Sequence, residues 1–197
     1  DRGPIKTPRL NVRSFKVYAD GALGSRGAAL KAPYSDDHEH YGALVTPLAD
    51  MQAIAQRLAE SDFQMNTHAI GDSANYFVLD LYERVMSNPA KARWKIEHAQ
   101  VVDPADFDRF ASGIIPSVQP THATSDMYWA EERLGPERIK GAYAYQTLLQ
   151  QSKVLALGTD FPVEKVSPLL TFYAAVARQD LDGYPSGGYF AEQALSR

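Results

Sequence analysis

Three histidines and one aspartate occupy matching places along the chain. His68, His98, His122 and Asp160 each fall at or just past the end of a short strand-like segment. Imidazole and carboxylate together suit Zn2+ or a similar divalent metal, and a catalytic zinc takes roughly three protein ligands while keeping a position open for water. Such an ion brings the pKa of bound water to about 7 and polarises a carbonyl. A further carboxylate nearby can then move protons between that water and a leaving group.

The elements that must hold these groups follow from local pattern. In Phe63-Gln64-Met65-Asn66-Thr67-His68, one residue set alternates with the other at the period of a strand. Gly71-Asp72 then turns the chain into a helix, with Asp72 as N-cap and Ala74, Phe77, Val78, Leu81 and Val85 at helical spacing. A histidine at the carboxyl end of such a strand opens, in a parallel sheet or barrel, into the ligand crevice. Residues 12–19 read as an earlier strand with Lys16 inside it, followed by a Gly-rich loop over 20–27. Thr46 is expected to cap a helix with Pro47 at its first position and Leu48, Met51, Ala55 and Leu58 on one face. Residues 93–98 form the next strand, and Asp103-Pro104 opens a helix carrying Phe107 and Phe110. A strand over 114–119, interrupted by Pro116, runs into Pro120-Thr121-His122, which reads as extended loop. A helix is expected over about 136–150, then a fully apolar, buried strand at 154–157 closed by Gly158-Thr159-Asp160. Ser167-Pro168 starts a last clear helix.

Strands alternating with helices through short links predict parallel βα units in one α/β domain over 1–197. Residues 1–10 read as a linker remnant, and 182–197 as loop and the start of a further helix. The chain has no cysteine, which excludes disulfides, thiolate ligands and a Cys nucleophile. A net charge of -4 with scattered basic residues argues against nucleic acid as a partner. No apolar run approaches ~18 residues, so no membrane helix is predicted. The absence of a starting Met and of any targeting core reads as an excised piece of a longer, cytoplasmic protein.

Four stretches together carry a resemblance: Lys16 through Arg26 (Lys-Val-Tyr-Ala-Asp-Gly-Ala-Leu-Gly-Ser-Arg), His68-Ala69-Ile70-Gly71-Asp72, Glu97-His98-Ala99-Gln100, and Leu157-Gly158-Thr159-Asp160-Phe161-Pro162. In this order they resemble the metal-dependent amidohydrolase superfamily, in the amidohydrolase family 3 branch that contains N-substituted formamide deformylases. The resemblance implies a TIM-type (β/α)8 barrel, of which this chain holds the C-terminal half, strands four to eight. It further implies His68 and His98 as metal ligands from strands five and six, and Asp160, from strand eight, as ligand and proton shuttle. Lys16 matches the lysine that bridges two metals once it is carboxylated. One or two divalent ions, zinc first among them, and a small-molecule amide substrate complete the implied enzyme.

The sequence also departs from the family pattern. The His-x-His pair of the family's first strand belongs well before Lys16 and is absent. The only His-x-His here is His38-Glu39-His40, in an acidic loop that reads as a solvated patch. Two rivals therefore stand beside the amide hydrolase: a non-catalytic half-barrel or binding module, and a hydrolase of esters or phosphoesters. A half-barrel is expected to expose open sheet edges and an apolar inner face. It would then pair with its missing half, associate with another copy as a homo-oligomer, or aggregate, and have little or no activity alone.

Each candidate has a plainer role to set against the functional one. His68 and Asp160 could serve only as helix-entry and turn residues. Lys16 could snorkel or pair with Asp20. His122 could touch substrate or merely shape its loop, Arg26 could hold a substrate carboxylate or brace a loop, and Trp129 could wall a pocket or pack beneath it. Glu97 is expected to point away from His98 and to be structural.

Overall fold

The computed structural model describes residues 3–196. Its centre is a parallel sheet of five strands, β3 (Ser14–Tyr18), β4 (Gln64–Ala69), β5 (Lys95–His98), β6 (Ile115–Val118) and β7 (Ala156–Leu157), in that spatial order. A short antiparallel hairpin precedes it, β1 (Ile5–Lys6) with β2 (Asn11–Val12), where a linker was expected. Thr7 Oγ1 closes its turn by accepting from the Leu10 N–H at 2.9 Å. Strand order that follows chain order without reversal is the progression of a barrel rather than of a doubly wound sheet.

Helices return the chain from each strand to the next. They are α1 (Leu48–Ala59), α2 (Asp72–Val85) with the short α3 (Pro89–Ala92), a 3-10 helix at Pro104–Ser112, then α4 (Pro120–Asp126), α5 (Ala130–Arg138) and α6 (Tyr145–Ser152), and after β7, α7 (Pro168–Ala177). The core lies between these helices and one face of the sheet: Val17, Met65, Ala69 and Ile96 pack with Met51, Ala55, Val78 and Leu79. Buried Tyr82 ties the layers together, its hydroxyl 2.7 Å from Thr67 Oγ1 and donating toward the Met65 and Lys95 carbonyls.

The opposite, inner face is polar, which corrects the expectation of an apolar one. Register places Lys16, Asn66, Lys95 and Ile115 in one row, and Tyr18, His68, Glu97, Ser117 and Ala156 in the next. The apolar half of each alternating strand is used against the helices, so what remains for the concave side is mainly hydrogen-bonding and charged, with Ile115 and Ala156 as its aliphatic members. Both edge strands, β3 and β7, have one neighbour only among the described residues. At the β7 edge, pairing covers two residues rather than the expected four, and Leu157 is 44% exposed.

Other local departures have identifiable causes. At α1, Pro47 holds the cap position and its carbonyl accepts from Asp50 and Met51, so no Thr46 side-chain cap forms. At α2, Gly71 is the cap because a Cβ there would lie 2.0 Å from the Ala29 carbonyl oxygen. Asp72 is instead the first helical residue, and its Oδ1 accepts from Lys31 N at 2.8 Å and Ser73 N at 2.9 Å. The single helix expected over 136–150 is broken. Gly135 takes φ 74°, and after a 3-10 turn at Ile139–Gly141 the backbone pairs with the β5 exit (Val102 N–H to the Gly141 carbonyl, 3.0 Å) before α6 begins. That pairing uses backbone groups a continuous helix would have consumed. The tail forms turns around the Asp180 carboxylate and a 3-10 turn at Ala191–Gln193 instead of entering a longer helix.

Candidate metal centre

The carboxyl ends of β3 to β7 converge on a cleft of about 440 Å3 whose walls include Lys16, His68, His98, His122, Trp129, Asp160 and Glu164. A larger cavity, about 930 Å3, is lined by residues at the opposite, strand-starting end, among them Arg13, Arg93 and Lys95, and holds none of the candidate ligands.

His68, the last residue but one of β4, lies on the inner face, and its Nε2 is 3.5 Å from both the Gly21 carbonyl oxygen and Asp20 Oδ1. Asp20 is fully enclosed and accepts from three backbone N–H groups, those of Ala29, Ile70 and Gly71, at 2.8–2.9 Å. It thereby joins the Gly-rich loop to the β4 exit. Burial nonetheless pushes its carboxyl up to about 7, and burial lowers His68 to about 4, so that imidazole is neutral and free to donate a lone pair.

His98 reaches the same space by a different route. Its strand partner is Ala69, on the helix-facing side, while Glu97 partners His68 on the inner side. Backbone φ at His98 is 74° and at Ala99 is 40°, and this left-handed exit carries the His98 ring into the cleft. Its ring centroid lies 4.5 Å from that of His68. Glu97 therefore shares the sheet face of His68, and strict alternation does not hold at the strand end. His98 is buried, and burial first, then the neighbouring His68 and His122, lower its pKa to about 2. Its Nδ1 is enclosed and has no hydrogen-bond partner. A buried imidazole nitrogen without a hydrogen-bond partner is costly, and its lone pair is available to a metal ion.

His122 sits in α4, a helix that begins at Pro120, where proline is tolerated in the first turn, rather than in extended loop. Its ring stacks on His98 at 5.8 Å and 15°. Asp160 follows β7 with φ 55°, and its Oδ2 is 3.3 Å from His122 Nε2. His98, His122 and Asp160 each offer a ligand atom, all within 4.8 Å of one another. His68 adjoins this trio. The donor set and the orphaned nitrogen fit a divalent metal.

The remaining candidates separate. Lys16 lies on the inner face with its Nζ 4.9 Å from the Tyr18 ring centroid, and among the described residues it forms no ion pair with Asp20. Trp129 lines the cleft, while Arg26 is turned away into an ion pair with Asp36 at 2.9 Å. His38 and His40 are exposed and do not line the cleft. Glu164 was not legible as a site residue. Its one sequence signal is a carboxylate four positions after Asp160 in the same loop.

The model of the amidohydrolase family matches residues 2–197. The chain belongs to the amidohydrolase family. This amidohydrolase chain is 37% identical over 177 residues to the putative amidohydrolase YtcJ of Bacillus subtilis, covering 89% of the chain and 33% of that protein. It is 36% identical over 181 residues to protein LONG AFTER FAR-RED 3 of Arabidopsis thaliana, covering 90% and 31%. A crystal structure of an uncharacterized metal-dependent hydrolase from Pyrococcus horikoshii superposes with a TM-score of 0.85 at 33% identity, covering 98% of the chain and 38% of that structure. The chain thus spans about a third of the length of these relatives. Its parallel five-stranded arc is a partial barrel of the amidohydrolase kind.

Proposed function

We propose that this chain carries the strand-end half of the active site of a metal-dependent hydrolase that cleaves the carbon–nitrogen bond of a non-peptide amide. The observation that supports it most is the convergence of His98, His122 and Asp160 donor atoms within 4.8 Å at the carboxyl ends of parallel strands. His68, His98 and Asp160 are the residues assigned to hold the ion, with Lys16 as a further ligand when carboxylated. A divalent metal, zinc in this reading, supplies when bound a lowered pKa for water and polarisation of a carbonyl.

The chain's own groups do the rest. Asp160, whose side chain is about a third exposed, is positioned to accept the proton of the attacking water and return it to the leaving nitrogen. Neutral His68 and His98 offer lone pairs rather than compete with a cation. Trp129 and Gly24, which approaches its ring, wall one side of the cleft against bulk water.

The test uses the intact protein, depleted of metal and reloaded with zinc, manganese or cobalt, against N-formyl and N-acyl amides with matched esters. Expected is amide turnover that chelation abolishes, with Asp160→Asn lowering kcat roughly 10²–10⁴-fold and leaving KM nearly unchanged. Turnover of esters alone, or turnover indifferent to chelation, would refute the assignment.

A further inference from the structure

Glu164 lies outside every motif that carried the family resemblance, yet it is built into the cleft. Its Oε1 is 3.3 Å from His122 Nδ1 and accepts from Ser125 Oγ at 2.7 Å. Ser125 and His122 both belong to α4, so one carboxylate oxygen is held by two groups from the same helix. The other end of the imidazole, Nε2, faces Asp160 Oδ2 at 3.3 Å.

Each ring nitrogen of His122 faces a carboxylate oxygen at 3.3 Å, and the two carboxylates select different tautomers. A carboxylate oxygen only accepts, so the hydrogen of a neutral His122 ring bonded to Glu164 sits on Nδ1. Nε2 then presents a lone pair to a second carboxylate, with no hydrogen between two electron-pair donors. That contact is repulsive unless a proton on Nε2 or a metal ion beside both atoms relieves it. Metal–donor lengths of about 2.1 Å in tetrahedral array place two ligands about 3.4 Å apart. The His122 Nε2 to Asp160 Oδ2 separation of 3.3 Å is of that size. His98 supplies a further donor, with a ligand atom within 4.8 Å of those of His122 and Asp160, and its buried Nδ1 has no hydrogen-bond partner.

We propose that Glu164 is a positioning residue that fixes the His122 ring so that its Nε2 serves as an additional metal ligand beside Asp160 and His98. This rests on the metal reading of the site given above. It assigns His122 to the ion rather than to substrate, and it gives the Asp160–Glu164 loop a role of its own. Carboxylates that accept from the far nitrogen of a ligating histidine hold its tautomer and raise its basicity, and losing one typically costs 10–100-fold in metal affinity.

The experiment titrates Co2+ into the metal-stripped intact protein, following affinity by calorimetry and ligand geometry by visible absorption. Wild type is compared with Glu164→Ala, Glu164→Gln, His122→Ala and, as a control on the metal reading, His98→Ala. Thermal melting without metal checks that each variant folds. The expected result is a 10–100-fold weaker affinity and an altered cobalt spectrum for Glu164→Ala. Glu164→Gln, which keeps an accepting oxygen, should fall in between. His122→Ala should weaken binding as much as His122→Ala combined with Glu164→Ala, since the glutamate acts only through the ring.

A wild-type spectrum and affinity in Glu164→Ala, or in His122→Ala, would overturn the proposal; His122 would then be a charged bridge between two carboxylates. Should His98→Ala also bind cobalt normally, the metal reading itself fails. Should only His98→Ala lose the ion, that reading stands and the positioning role does not.

Discussion

The rings of His98 and His68 lie 4.5 Å apart, centroid to centroid, although strand register assigns the two residues to opposite faces of the sheet. The left-handed φ of 74° at His98 reconciles the two facts. Few residues adopt that conformation cheaply, asparagine being one of them. His98→Asn is therefore the substitution that removes the imidazole while keeping the exit geometry.

That variant isolates a pH effect. An unfolded imidazole takes up a proton below about 6.5, whereas burial holds His98 down to about 2. The unfolded state binds more protons in this window, so stability is present above about 6.5 and is lost as pH falls. His98 should account for about 2 kcal/mol of lost stability between pH 6.5 and 5. Asp20, raised to about 7, acts in the opposite sense, favouring the fold as pH drops below 7. Urea titrations of the metal-stripped protein at several pH values, wild type minus His98→Asn, should show the histidine slope alone. Equal slopes would show that His98 is solvated.

Asn75 is the most heavily used buried amide near the site. Its Nδ2 lies 3.0–3.3 Å from the carbonyl oxygens of Ala69, Ile70, Gly71 and Val101, tying the β4 exit to the β5 exit. Asn75→Ala removes the side-chain donor from the Ala69 and Val101 carbonyls, while those of Ile70 and Gly71 keep backbone N–H donors, and should cost about 1–3 kcal/mol. Denaturant unfolding measures this directly. Because both histidine-bearing exits loosen, metal affinity should fall as well.

Lys16 stands on the same sheet face as His68 and holds no carboxylate partner among the described residues. In the metal-loaded intact protein it is expected to carry a carbamate, seen as a bicarbonate-derived 13C signal that disappears in Lys16→Ala. Activity lost in Lys16→Ala should return in part with added short-chain carboxylic acids. A loaded, active enzyme lacking that signal would make Lys16 an ordinary inner-face cation.

The 197-residue chain by itself is expected to show little turnover with zinc or manganese supplied. The reason is not an apolar concave face, since that face is polar. It lies instead in two sheet edges with single neighbours and an edge strand paired over only two residues just before Asp160. Ligands on a loosely held edge miss the roughly 0.5 Å placement that catalysis demands. Assays of the chain with and without the remainder of a full-length relative's barrel check this. Full activity of the chain alone, abolished by Asp160→Asn, would show that the edge is adequately held.

By itself the sequence determined what is local. Alternation in residues 63–68 marked β4 and told which side chains face the helices; Met65 and Thr67 are fully buried there, as a period of two requires. Strand-end positions for His68, His98 and Asp160 followed from turn and cap residues. Only tertiary structure decided which of these groups meet. Backbone twist at His98 overrode the alternation that would have pointed it away, because the φ that turns it depends on how the β5 exit packs, not on its neighbours' types. The helix expected over 136–150 was interrupted between Arg138 and Tyr145, since Gly141 and Tyr143 give their backbone groups to the β5 exit. Arg26 left the cleft for Asp36, and Glu164 entered it to meet His122, through contacts between residues 10 and 42 positions apart. Pairings at that range are set by which loops share the end of the sheet, and no local pattern encodes them.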